Sequence, residues 1–260
     1  MQTLQVHFLP GLIGESNLAG SVTVIIDILR ASSTIITALH NRADRVIPCG
    51  TPDAARQIQV ESIGDAVLLG GERGGVRIDG FDCGNSPTEY STDRVEGKTI
   101  AFTTTNGTQA LLKSAAAETI LIGAFINRKA LIDRLQSDQR PIHLVCAGTD
   151  GSITGEDVLF AGAIVDALTR INALDASQCE RWQQNDCARI AQAFWRQAVA
   201  DTVESDTSEE LSDRIETAMR ETHGGFNLRT LGFDRDIGLC SAADTVELVP
   251  MLDRQSGALT

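Results

Sequence analysis

VTVIIDILRASSTI, residues 22–35, sets the architecture of this chain. Residues 22–26 form an unbroken Val/Thr/Ile run without polar alternation, which suits a strand covered on both faces. The run ends in Asp27. Arg30 follows, then Ser32, Ser33 and Thr34, which open a helical pattern. A strand, a polar turn and a helix start together form the repeating unit of α/β proteins, whose ligand crevice lies beyond the carboxyl ends of the strands. Similar apolar runs recur at 4–9, 45–49, 66–70, 98–103, 119–123, 142–147 and 245–249. Helical patterns fall between them at 52–62, 106–117, 126–136 and 154–170. Residues 178–221 are polar and rich in Gln, Glu and Arg, with two helical patterns broken near 205–208. The expected fold is therefore a three-layer α/β/α domain spanning 1–260, with a mostly parallel or mixed central sheet and a helical insertion or subdomain near 175–225.

Bulk properties narrow the functional classes. The chain has 260 residues, enough for a sizeable core, and its aromatic content of 4% leaves that core to aliphatic residues. A net charge of −13 opposes binding to nucleic acid or to anionic membranes. An anionic substrate would need a local patch of arginine, backbone N–H groups or metal. The opening MQTLQVHFLPGLIG has no basic n-region or long apolar core, and no apolar run is long enough for a bilayer, so a cytoplasmic location is expected. Cys49, Cys83, Cys146, Cys179, Cys187 and Cys240 are scattered, without a C-x-x-C pair, and read as reduced thiols. The histidines show no metal-binding spacing; His7 and His143 sit within strands and read as structural.

Chemistry gathers at four strand ends. Asp27 can hold a metal or act as a nucleophile, and Arg30 can fork onto phosphate oxygens; the alternative is an Asp27 cap on the helix with Arg30 paired to it. LLGGERGGVRIDGFDCGNSPTEY (68–90) is a glycine- and charge-rich loop in which Glu72 and Asp82 offer hard oxygen ligands and Arg73 an anion contact. Thr103–Thr108 run from a strand into a helix. There Thr104, Thr105, Asn106 and Gly107 outline an anion cradle, without the spacing or lysine of a P-loop. VCAGTDGSITGEDVLFAG (145–162) places Glu156 and Asp157 in the first turn of a helix, where the dipole favours anions. Carboxylates, hydroxyls and arginines together suit Mg²⁺ and phosphate rather than zinc.

DILRASSTI (27–35), GERGGVRIDGFDCGNSPTEY (71–90) and TTTNGTQAL (103–111) together resemble the 2-phosphosulfolactate phosphatase family, as do GEDVLFAG (155–162) and LGFDRDIGLC (231–240). Ser32 and Ser33 stand where family members often carry Thr. The resemblance implies Mg²⁺-dependent hydrolysis of the phosphate ester of 2-phosphosulfolactate, or of a similar small anionic ester, to sulfolactate and phosphate, a step of coenzyme M biosynthesis in methanogens. On this reading Asp27, Glu72, Glu156 and Asp157 hold the metal. Asp27, Arg30 and Asp82 are catalytic, and Arg73, Asn85, Ser86, Thr104, Thr105, Asn106 and Gly107 contact phosphate. Arg77, Arg229 and Arg235 are candidates for the sulfonate and carboxylate. The expected partner is the small ester alone, with a homodimer left open. A haloacid-dehalogenase-type phosphatase would carry an acid at position 29, where this chain has Leu29; a non-catalytic binder of anionic metabolites would need the arginines and glycines but not the carboxylates.

Overall fold

The computed structural model describes residues 1–14, 18–62, 66–173, 182–199 and 207–260. Five parallel strands form the larger sheet, in the order β7 (Thr119–Gly123), β2 (Val22–Ile26), β8 (Ile142–Cys146), β1 (Gln2–His7) and β9 (Trp182–Gln184). Every residue of β2 and β8 is buried, Thr23 and His143 among them, as their lack of polar alternation suggests. β2 pairs with β7 on one side and β8 on the other, so Asp27 emerges from the middle of the sheet.

The remaining strands build a second sheet, in the order β3 (Arg45–Pro48), β6 (Thr99–Thr103), β4 (Val67–Arg73) and β5 (Val76–Arg77), parallel except for the β4–β5 hairpin. Helix α1 (Ala31–His40) touches both sheets, packing on β7 and on β3. This accounts for its burial on nearly every side, since a helix that is apolar all round must be covered all round. Its Ser and Thr hydroxyls are paid for by backbone partners: Ser33 Oγ donates to the Ile28 carbonyl at 3.0 Å and Thr34 Oγ1 to the Asn85 carbonyl at 2.9 Å.

Helix α6 (Gly155–Ala173) packs on β2 and β8, and α7 (Asp186–Ala198) on α6 and β1. Outside the second sheet lies α2 (Pro52–Glu61), started by Thr51, whose side chain accepts from Ala54 N–H, and by proline in the first turn. The connections include α3 (Thr92–Val95), α4 (Gly107–Lys113) and α5 (Arg128–Gln136), followed by a C-terminal trio, α8 (Ser208–Arg220), α9 (His223–Thr230) and α10 (Asp234–Ser241). A capping box of Thr207 and Glu210 starts α8. Helix α10 packs against α8 and α9.

The α/β class and the parallel pairing follow the sequence, and so do the helices among the described residues of 175–225, where β9 at 182–184 is an addition. Cys179 and the first half of the expected break at 205–208 lie outside the described residues; the second half, Thr207 and Ser208, starts α8. One expected strand, 245–249, is absent: the Asp244 and Val246 N–H groups bond to the Phe125 and Ile126 carbonyls, and Asn127 Nδ2 donates to the Leu248 carbonyl. These bonds to a 3-10 turn and its side chain replace a ladder. The segment after it, 250–260, pairs with Ile120 and Ile122 of β7 and with Val46 of β3, covering one edge of each sheet.

Candidate active site

The carboxyl ends of β2 and β8 in one sheet, and of β4 and β6 in the other, open onto a single cavity of about 330 Å³. Its wall includes Asp27 and Arg30 after β2, Glu72 at the end of β4, Asn85, Thr105 and Asn106 after β6, and Glu156 and Asp157 at the start of α6. All four strand-end segments singled out in the sequence meet here. Helix α9 closes one side with Gly224, Asn227 and Leu228.

The acids differ in what holds them. Asp157 is fully committed to the backbone: Oδ1 accepts from Ile28 N–H at 2.9 Å and Oδ2 from Gly148 N–H at 3.0 Å. It ties the loop after β2 to the loop after β8. Glu72 does the same on the other side, with Oε1 accepting from Thr105 N–H at 2.8 Å and Oε2 from Gly75 N–H at 2.7 Å. Asp27 uses one oxygen, Oδ1, to accept from Ala31 N–H at 3.2 Å and cap α1. Its Oδ2 lies beside Gly107, where a Cβ would come within 2.7 Å, so α4 can start this close only with glycine there. Glu156 is 2% exposed; among the described residues its Oε2 and the neighbouring Thr154 hydroxyl lie outside hydrogen-bond geometry, although the Thr154 and Thr222 hydroxyls and the Gly224 N–H are near enough to favour its charged form. A Cβ on Gly224 would sit 2.1 Å from Glu156 Oε1, so glycine lets α9 close over this carboxylate.

Electrostatics follow from this crowding. Burial, with repulsion from Glu72 and Glu156 added, pushes the Asp27 carboxyl up to about 7. Burial likewise raises Glu156, and burial together with Glu156 and Asp27 raises Asp157. Among the described residues five acids line the cavity (Asp27, Glu72, Asp150, Glu156 and Asp157), against one arginine, Arg30. Arg30 is 2% exposed; its Nη1 donates to Asp236 Oδ2 and its Nη2 to the Gly75 carbonyl, both at 2.7 Å. The Phe233 ring lies under the guanidinium, 4.1 Å from its carbon to the ring centroid.

The family model for 2-phosphosulpholactate phosphatase matches residues 7–255. The chain belongs to the 2-phosphosulfolactate phosphatase family. It is thereby a phosphoric monoester hydrolase by family. It is 41% identical to a Thermotoga maritima protein and 40% identical to one from Thermotoga petrophila, in each case over 88% of both chains. A Clostridium perfringens protein is 33% identical over 91% of this chain and 88% of its own. All three are named as probable 2-phosphosulfolactate phosphatases.

Several residues expected at the site of this family member stand elsewhere. Asp82 is not in the cavity wall: its Oδ2 accepts from Leu69 N–H at 2.8 Å and its carbonyl from Arg94, so it braces β4. Arg73 turns back to the Glu72 carbonyl and to Thr103 Oγ1. Thr104 exchanges hydrogen bonds with Thr108 at the start of α4, and Gly107 serves through its missing side chain. Ser86 Oγ donates to Asp236 Oδ1 at 2.7 Å rather than lining the cavity. Arg77, Arg229 and Arg235 are exposed and outside the wall. His7 and His143 face each other across β1 and β8, Nε2 to Nδ1 at 2.9 Å, away from the cavity.

Asp236, Phe233, Gly224 and Asn227 were missed from sequence. A signal for Asp236 existed: it lies one residue before Ile237 and four before Cys240, on the buried stripe of α10, and a carboxylate there needs a buried partner.

The fit of a divalent cation can be judged from the donors. Among the described residues no three His, Cys, Asp or Glu side chains are grouped to hold a metal ion by themselves. Mg²⁺ rarely asks for that; it usually takes one or two carboxylates, several waters and a substrate phosphate. Asp27 and Glu156, each with an uncommitted oxygen, fit that requirement, and the excess of acids over Arg30 favours a cation. Glu72 and Asp157, bonded to the backbone through both oxygens, fit it less well.

Proposed function

We propose that this cavity hydrolyses the phosphate ester of 2-phosphosulfolactate, or of a similar small anionic ester, to sulfolactate and phosphate with the help of Mg²⁺. The observation that carries the reading is the meeting of Asp27, Glu156 and Arg30 in one cavity at the carboxyl ends of both sheets. Five acids beside one arginine would repel a phosphate ester on their own, which is why a cation belongs in the proposal. Held by Asp27 and Glu156, Mg²⁺ would draw charge from the phosphate oxygens.

The chain's own residues supply the rest. Arg30 grips phosphate oxygens with the N–H groups it does not give to Asp236 and Gly75. Asp27 either takes a proton from the attacking water or attacks phosphorus itself, in which case the same ester bond to the C2 oxygen breaks and water then cleaves the aspartyl phosphate to phosphate and the free carboxylate. In the first route a P–O bond to water forms and the bond from phosphorus to the C2 oxygen breaks. The proton released by water ends on the departing sulfolactate oxygen. Glu72 holds the Thr105 and Gly75 loops in place, and Asp157 those of Ile28 and Gly148.

The test is phosphate release from 2-phosphosulfolactate and from a panel of small phosphate monoesters, with Mg²⁺ and with EDTA. Release that requires Mg²⁺ and favours 2-phosphosulfolactate supports the reading. Release unaffected by EDTA removes the cation from it, and no release from any ester removes the reaction.

A further inference from the structure

We infer that Asp236 is a positioning residue, which holds the Arg30 guanidinium in the one orientation that presents it to the cavity; the inference rests on the phosphatase reading above. Arg30 has a long, flexible side chain with five N–H groups, and its value to a phosphate depends on where the planar fork points. Three contacts fix that plane. Asp236 Oδ2 takes an Nη1 proton at 2.7 Å, the Gly75 carbonyl takes an Nη2 proton at 2.7 Å, and the Phe233 ring covers one face at 4.1 Å. Two N–H groups are thus engaged, the other three have no hydrogen-bond acceptor among the described residues, and Arg30 lines the cavity.

Asp236 is held as firmly as it holds. It is 3% exposed, and its second oxygen, Oδ1, accepts from Ser86 Oγ at 2.7 Å. One carboxylate from α10 therefore joins the turn after β2 to the loop at 84–86, two segments brought from opposite sheets. Phe233, the residue just before α10, and Asp236, in its first turn, come from the same short stretch, 233–236, so one helix start delivers both the ion pair and the ring. Asp236 is absent from the cavity wall itself, and so acts through Arg30 and not on the substrate.

The experiment is a double-mutant cycle on the full chain, using Asp236→Asn, Arg30→Lys and the two combined, with Ser86→Ala as a milder perturbation of the same carboxylate. Hydrolysis of 2-phosphosulfolactate gives kcat and KM, calorimetric titration with inorganic phosphate in Mg²⁺ gives a binding constant, and thermal melts report folding. Each single change is expected to weaken phosphate binding and kcat/KM by about 10-fold, and the double variant to be no worse than the poorer single one. Ser86→Ala is expected to lose about 3-fold with little change in melting temperature, and to lose nothing further in the Arg30→Lys background. Losses that multiply in the double variant would overturn the inference, as would Asp236→Asn with normal phosphate binding. If Asp236→Asn does not fold, the Ser86→Ala and Arg30→Lys cycle decides by the same criterion. Wild-type protein that binds phosphate and shows this cycle but hydrolyses no ester would sink the phosphatase reading alone; wild-type protein that binds no phosphate would sink both.

Discussion

Glu72 and Asp157 give both carboxylate oxygens to backbone N–H groups, whereas Asp27 and Glu156 each keep one oxygen without such a bond, although all four line the same cavity. Residue type does not separate the two pairs, and burial does so only in part. Hydrogen bonding does. A carboxylate bonded by two N–H groups is a strut that sets the shape of two loops, and its negative charge is already shared. One with an open oxygen keeps a lone pair for a proton, a cation or phosphorus. The difference teaches that a cluster of acids at a strand-end crevice contains both framework and chemistry, and that the partners of each oxygen tell which is which.

The comparison can be broken most directly at Asp27. Asp27→Asn is expected to cut turnover by about 10²–10⁴-fold, with the circular dichroism spectrum unchanged. Near-normal phosphate release in that variant would take Asp27 out of the chemistry. The next effect is on stability and belongs to the other pair. Asp157→Ala leaves the Ile28 and Gly148 N–H groups unpaired, at a cost of about 1–3 kcal/mol each if water does not reach them. Its urea midpoint should fall well below wild type; an unchanged midpoint would contradict the strut role.

A pH series sharpens the contrast further. The Asp27 carboxyl is raised from an ordinary 3.8 to about 7, chiefly by burial. Between those values the folded protein keeps a proton that the unfolded chain has released. Stability of the metal-free protein therefore falls, through this group, as pH rises from about 4 to about 7, and the penalty stays in full above that. Thermal melts should show this decline, at roughly 2–4 °C per kcal/mol for a chain of this size. Mg²⁺ should recover more melting temperature at pH 8 than at pH 5, and Asp27→Asn should flatten the slope. A melting temperature that rises steadily over that window in wild type, with no effect of Asp27→Asn, would contradict the assignment. The smallest effect is expected at Asp82→Asn: kcat within about twofold of wild type and a stability loss of about 0.5–1.5 kcal/mol, since one hydrogen bond to Leu69 is at stake. A large loss of kcat would return Asp82 to the site.

The local grammar of this chain was readable residue by residue. Runs without polar alternation, such as VTVII at 22–26 and IHLVC at 142–146, suit the interior of a parallel sheet, and both lie there. Polar residues placed just after such runs fall where the crevice must be, which is why Asp27, Glu72, Thr105 and Glu156 all reach the wall of one cavity. Strand 245–249 was misread because an apolar, β-branched run also satisfies an extended segment bonded to a turn. What the order of residues could not express was the pairing across distance. The division of the strands into two sheets, the burial of α1 between them, and the joining of Arg30 to Asp236 across 206 positions all depend on which segments meet in space. So does the separation of strut from reactive carboxylate, because a carboxylate's role rests on the N–H groups that reach its oxygens, and those arrive from loops elsewhere in the chain.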